Sequence, residues 1–261
     1  MLKVKGTHSG AGTKRQESAS DIRFLWSDPH DEYLSALRSE FHLREVVGAE
    51  SDALAATISL CRWVHGLWEH DGGGEALLGD PGAILREAQA GGAFRCVEYA
   101  SVLQACLESV GVRARILALK TRDVETAISE AGHIANEVYL AHHQRWVFVD
   151  PQFNFIAAGQ EGVLNAVELR EALANGLPVH SLGTMALPLA TYLRWLAPYL
   201  FYLDVPLDNR VGKPDRSRTS LMLVPHGAPE PRIMQRHWLI EDMIYIQETD
   251  VFYPQPDLEK R

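Results

Sequence analysis

Three residues in this sequence could together perform nucleophilic attack on a carbonyl: a thiol, an imidazole and a carboxylate. The thiol is Cys96, in GGAFRCVEYASVLQACLESVG at 91–111. It stands just behind Gly91–Gly92 and opens a run in which Tyr99, Ala100, Leu103, Cys106, Leu107 and Val110 recur at helical spacing, with Gly111 suited to close the helix. A thiol attacks only as thiolate, and its ordinary pKa of about 8.5 leaves it mostly protonated at neutral pH. The positive end of a helix dipole and an adjacent imidazole both favour the ionised form. The predicted helix supplies the first at Cys96, and its unpaired amides can also receive an oxyanion.

The imidazole is His133, which opens the alternating stretch IANEVYLA (134–141). The carboxylate is Asp150, which ends RWVFVD (145–150) ahead of Pro151, a residue that holds its predecessor extended. Read as two strands of a hairpin, these segments can be tested by parity. The register that sets His133 opposite Asp150 puts Ala141–His142 at the tip. No Gly or Asn sits there, so a longer, bulged loop is expected rather than a tight turn. Any register displaced from this one by two keeps both side chains on one face, with Glu137 and Trp146. Ile134, Val138, Leu140, Val147 and Val149 then form an aliphatic surface on the other. A carboxylate beside an imidazole fixes its tautomer and steadies the imidazolium, so the expected constellation is nucleophile Cys96, general base and acid His133 and orienting carboxylate Asp150.

Other candidates read as structure. Cys61 and Cys106 lie within apolar stripes and are expected in the core. Three cysteines form neither a disulfide framework nor a zinc pair, and the eleven histidines show no ligand spacing, so no metal and no cofactor are expected. His65 and His70 do not share a helix face well, and His133 and Glu137 are too far apart for one ion on a strand. His142–His143 reads as a polar loop. Glu98 complements the helix dipole or touches substrate, and Asp204 and Asp208 read as surface charge.

Two stretches resemble a known family. FRCVEYASVLQACLESVGVRARIL is similar to the cysteine block of the transglutaminase-like superfamily, and GHIANEVYLAHHQRWVFVDPQ is similar to its His and Asp blocks. The resemblance spans roughly residues 50–155, by the extent of those motifs. It implies the same roles for Cys96, His133 and Asp150 and a papain-like α+β core, with a central helix bearing Cys against an antiparallel sheet bearing His and Asp. This chain has Ala135–Asn136 where many members carry an aromatic residue. Some members use an upstream Trp as oxyanion donor; Trp63 and Trp68 are candidates by order, each read here as a helix-face core residue. No calcium site is implied.

These residues need positioning elements, and the chain is long enough for them: 261 residues bury a sizeable core. Asp28 before Pro29, Asp52 or Ser51, Asp80 before Pro81, and Asn165 are expected helix caps. The second helix is expected to run from 53 as far as Gly72–Gly74. Helices dominate before 111, strands follow without βαβ alternation, and the fold class is α+β. From 219 onward SLMLVPHG, HWLIEDMIYIQ and VFYPQP read as short strands. Residues 1–20 read as a disordered tail, 21–160 as the transglutaminase-like core and 161–261 as a C-terminal extension of the same domain.

A net charge of −9 argues against a nucleic-acid partner. The apolar run at 185–203 contains Arg194, Pro188 and Pro198, so it reads as a buried or partner-facing helical segment and no membrane association is expected. The start has no signal-peptide core, and a reducing cytoplasm is the expected compartment. The expected activity is cysteine-dependent hydrolysis or acyl transfer at an amide or thioester carbonyl of a peptide-like substrate, through an acyl-enzyme on Cys96. The expected partner is a peptide or protein substrate, or a thioester-bound acyl group. The alternative is a catalytically silent module that binds a peptide or protein.

Overall fold

The computed structural model describes residues 22–48, 52–77 and 79–256. The tail expected at 1–20 and Ser51 lie outside the described residues. Among the described residues five helices come first: α1 (Glu32–Glu40), α2 (Leu43–Val47), α3 (Ala53–His65), α4 (Pro81–Gln89) and α5 (Cys96–Ser109). Asp52 and Asp80 cap α3 and α4 by accepting from Ala55 N and Ala83 N. All of α5 except Cys96, Val97 and Ser101 is buried, which makes it the central helix, and Gly111 at φ +86° follows it.

The strands β1 (Ala114–Lys120), β2 (Gly132–Leu140), β3 (Arg145–Asp150), β4 (Phe155–Gly159) and β5 (Gly162–Val163) follow, then α6 (Ala166–Ala174), β6 (His180–Ser181) and α7 (Leu189–Leu196). The last elements are β7 (Tyr202–Pro206), β8 (Ser220–Leu223), β9 (Ile233–Met234), β10 (Trp238–Leu239), β11 (Met243–Ile246) and α8 (Thr249–Phe252). One sheet runs β11-β8-β7-β1-β2-β3-β4-β5, with β6 beside β4; β9 and β10 form a separate hairpin. Every pairing in that sheet is antiparallel except β11 with β8.

Strand alternation divides the interior between two faces of the sheet. Val138, Leu140, Val147 and Val149 join α1, α3, α4 and α5 in one core. Leu117, Leu119, Ala135, Phe148 and Phe155 join residues of α6, α7 and α8 in another. The result is a helix–sheet–helix α+β fold, with the helix that opens at Cys96 packed on one face of a largely antiparallel sheet.

Several local expectations are corrected. Helix α1 begins at Glu32, not at Pro29, because Asp28 folds a turn by accepting from His30 N, and Asp31 caps instead by accepting from Tyr33 N. Helix α3 stops at Gly66, so Trp68 lies beyond it rather than on a helix face. The apolar run at 185–203 divides around Pro198 into α7, a 3-10 turn Ala197–Tyr199 and the start of β7. In VFYPQP the backbone closes a helical turn, α8, in place of a strand. Asp204 and Asp208 are buried and paired with Lys120 and Arg210, not surface charges. No helix among the described residues is long and apolar enough to cross a membrane.

Candidate active site

Cys96 owes its place to the segment in front of it. Residues Phe94 and Arg95 are held by the loop that follows α3: Asp71 N donates to Phe94 O at 3.0 Å, and Arg95 N donates to Gly74 O at 3.2 Å. Arg95 is extended (φ −82°, ψ 178°), so the helix begins at the next residue, Cys96. Glu98, in the first turn, accepts from Arg95 N at 3.2 Å and pairs with the Arg95 guanidinium at 3.0 Å. Its carboxylate is thus committed to fixing the helix start rather than to substrate. The half-buried thiol sits on the first helical residue, beside the free N–H groups of the first turn.

Close approach is the reason for glycine at position 74. A Cβ there would stand 2.0 Å from the Ala93 carbonyl oxygen. Gly74→Ala is therefore expected to push the loop off Ala93 and to destabilise the protein by about 1–3 kcal/mol. Urea denaturation, with Cys96 alkylation read in parallel, checks this; an unchanged midpoint would count against it.

His133 and Asp150 come together through the hairpin. The register pairs Asn136 with Val149 and Leu140 with Arg145. That is two residues along from direct opposition of His133 and Asp150, so both remain on one face as diagonal neighbours. The turn is a 3-10 turn over Ala141–His143, closed by Gln144 at φ +50°, which supplies the left-handed residue that the tip needs without glycine. His133 Nε2 lies 2.7 Å from Asp150 Oδ2. Cys96 is near enough to the same imidazole to contribute to its raised pKa, and the His133 nitrogen that Asp150 does not hold is Nδ1.

The electrostatics follow from burial. Asp150 is fully buried and surrounded by donors: His133 Nε2, the Tyr192 hydroxyl at 2.8 Å, and Gln152 N at 3.1 Å. Burial opposes charge on His133, but the Asp150 carboxylate outweighs it, with Cys96 adding to the effect, and the imidazole is pushed up to about 10. The imidazolium therefore persists through neutral pH. His70, nearby, is pulled down by burial and then by the charge on His133. Burial, then Asp150, raises the Cys61 thiol well above its ordinary value, as expected of a core cysteine, and burial alone raises Cys106.

One wall of the site is aromatic, and most of it comes from a run that the sequence offers as a cleft wall or dimer surface, with core packing the favoured reading. Trp195 meets the His133 ring edge-on at 5.0 Å, and Phe153 and Tyr199 lie at 6.2 and 6.3 Å. Tyr192, Trp195 and Tyr199 come from the run YLRWLAPYL, where spacings of three and four put them on one stripe. That spacing was a usable signal, but core packing explains it equally well. Of Trp63 and Trp68, the candidates by order, Trp63 is partly buried against the helical core, and Trp68 packs between Phe94 and Tyr99 with its buried indole N–H lacking a hydrogen-bond partner among the described residues. No group of three or more His, Cys, Asp or Glu side chains among the described residues is arranged to hold a metal.

Comparison with known proteins bears on the same segment. Residues 42–151 match the model of the transglutaminase-like superfamily. No curated protein matches the sequence. A solved structure of a proposed cysteine protease from Cytophaga hutchinsonii is similar over 47% of this chain and 39% of its own, at 14% identity and a TM-score of 0.37. This chain therefore spans about two fifths of that protein's length. The matched segment includes Cys96, His133 and Asp150 together with the helix and hairpin that carry them.

Proposed function

We propose that the protein is a cysteine-dependent enzyme acting on the amide or thioester carbonyl of a peptide-like substrate. The observation that carries this reading is the buried His133 imidazole, bonded to Asp150 and close enough to Cys96 for the thiol to add to its raised pKa. In this reading the Cys96 thiolate adds to the carbonyl carbon, and the carbonyl π electrons move onto oxygen. The Cys96 amide and the neighbouring helix N-terminus stabilise that oxyanion. As the tetrahedral adduct collapses, the bond to the leaving nitrogen or sulfur breaks, and the leaving group takes a proton from His133 Nδ1. An acyl-enzyme remains. Water then attacks while His133 takes its proton; the C–S bond breaks and the acid is released. An amine in place of water gives transfer. Asp150 holds Nε2–H throughout.

The half-exposed Trp195 beside the imidazole supports an apolar flank to the cleft and restricts water there. That favours a substrate with an apolar group next to the reacting carbonyl.

Alkylation tests the reading directly. Iodoacetamide is expected to modify Cys96 at least about 10-fold faster than Cys61 or Cys106, because both of those thiols are buried and protonated. The fast reaction should vanish in Cys96→Ser and slow in His133→Ala. Equal, slow labelling of all three thiols would instead favour a silent peptide-binding module.

A further inference from the structure

We propose that Tyr192 is a positioning residue of the site, its hydroxyl sharing the Asp150 oxygen that holds His133 and so setting how tightly that carboxylate grips the imidazole. This rests on the catalytic reading above and extends it to α7, which lies beyond the matched segment 42–151.

The geometry is specific. Asp150 Oδ2 receives both His133 Nε2 at 2.7 Å and the Tyr192 hydroxyl at 2.8 Å, while Oδ1, among the described residues, takes only the Gln152 amide. Tyr192 is fully buried among Phe153, Phe155 and Trp195. For packing alone phenylalanine would serve, and a buried hydroxyl without a partner is costly. Here the hydroxyl instead meets a buried anion, the partner that gains most from it. Burial, with Asp150 next, raises the phenol well above its ordinary value, so it stays a neutral donor at every working pH.

Two donors on one oxygen compete. Each draws electron density from the carboxylate and lowers its affinity for the other's proton. Removing the hydroxyl leaves more electron density on Oδ2, a tighter Nε2–H bond and a His133 that gives up its proton less readily. Tyr192 thus moderates the pair, so that His133 can protonate a leaving group in each cycle. The titratable groups around the pair are Cys96 from α5, Cys61 from α3, His70 from the loop after α3, and Tyr199, itself beside Glu130, from the turn after α7. None of these hydrogen-bonds Oδ2, so the hydroxyl can be varied alone.

The test is Tyr192→Phe in the full chain, read by nitrogen-15 NMR titration of His133. The expected result is a rise of about one pH unit in the imidazole midpoint, with the Nε2 proton moving downfield. A merely structural role would leave both unchanged, or would loosen the bond and move the proton upfield; either overturns the proposal. Should the phenylalanine variant fail to fold, 3,5-difluorotyrosine at position 192 keeps the shape and strengthens the donor. The midpoint is then expected to fall, and an unchanged midpoint overturns the proposal. The readout needs no turnover. If the midpoint responds while Cys96 alkylation proves independent of His133, the catalytic reading fails and the moderating contact stands; in the reverse case only the role of Tyr192 fails.

Discussion

Asp150→Asn is expected to leave His133 uncharged at pH 7 and to slow Cys96-dependent turnover by about 10²- to 10⁴-fold. In the native protein burial works against the imidazolium and Asp150 more than compensates, lifting the midpoint to about 10. An amide at position 150 removes the compensating charge and leaves the burial. The midpoint then falls below 6.5, the ordinary value, and the thiol loses its charged neighbour. The same reasoning fixes a pH window for stability. Because the folded midpoint lies above 6.5, the imidazolium–carboxylate pair stabilises the native state in full below about pH 6.5, and this contribution is lost as pH rises through about 10. NMR titration of the imidazole, together with the pH dependence of Cys96 alkylation, checks both points. An Asp150→Asn variant whose His133 is still protonated at pH 7 would contradict the assignment of cause.

The second large effect is on stability. Arg115 and Glu137 face each other across β1 and β2 with no exposure at all, joined at 2.6 Å. The guanidinium also donates to Phe252 O at 2.8 Å and lies 4.3 Å from the centre of the Trp146 ring. The other Glu137 oxygen accepts from Ala166 N at 3.1 Å and from the Tyr253 hydroxyl at 2.7 Å. One ion pair therefore ties β1 and β2 to the start of α6 and to the end of α8. Glu137→Leu leaves a buried guanidinium without its counter-charge and is expected to cost about 3–5 kcal/mol, a large share of a typical domain's stability. Replacing both partners, with Arg115→Met added, is expected to recover most of that loss, because the desolvated charge goes too. Urea denaturation of the two variants decides the matter. A double variant as unstable as the single one would mean that the pair's hydrogen bonds to α6 and α8, rather than its charge, hold the fold.

The sequence is informative wherever a short-range rule governs. The position of Cys96 at the start of α5 follows from glycines before it and an apolar period after it. The shared face of His133 and Asp150 follows from parity alone, which survives the two-residue difference in register. What resisted reading depends on distant partners. Asp28 before Pro29 has the form of a helix start, yet Asp31, held by Lys213 from far along the chain, does the capping. Asp204 looks like a surface acid until Lys120, from β1, is seen to meet it. Tyr192 is indistinguishable from a core aromatic in sequence, because its hydroxyl finds Asp150 only when α7 crosses the end of the hairpin. No local pattern encodes such a crossing.

The division of labour between the hairpin and α7 also has a consequence for biosynthesis. Cys96, His133 and Asp150 all emerge from the ribosome before the helix that supplies Tyr192 and Trp195, the groups that donate to the carboxylate and cover the imidazole. Chains fold from the N-terminal side as they are made. A nascent chain ending shortly after Pro151 would hold all three groups, yet leave Asp150 open to water and without its tyrosine partner. The hydrogen bond to Asp150 and the aromatic cover over His133 therefore wait on the translation of α7.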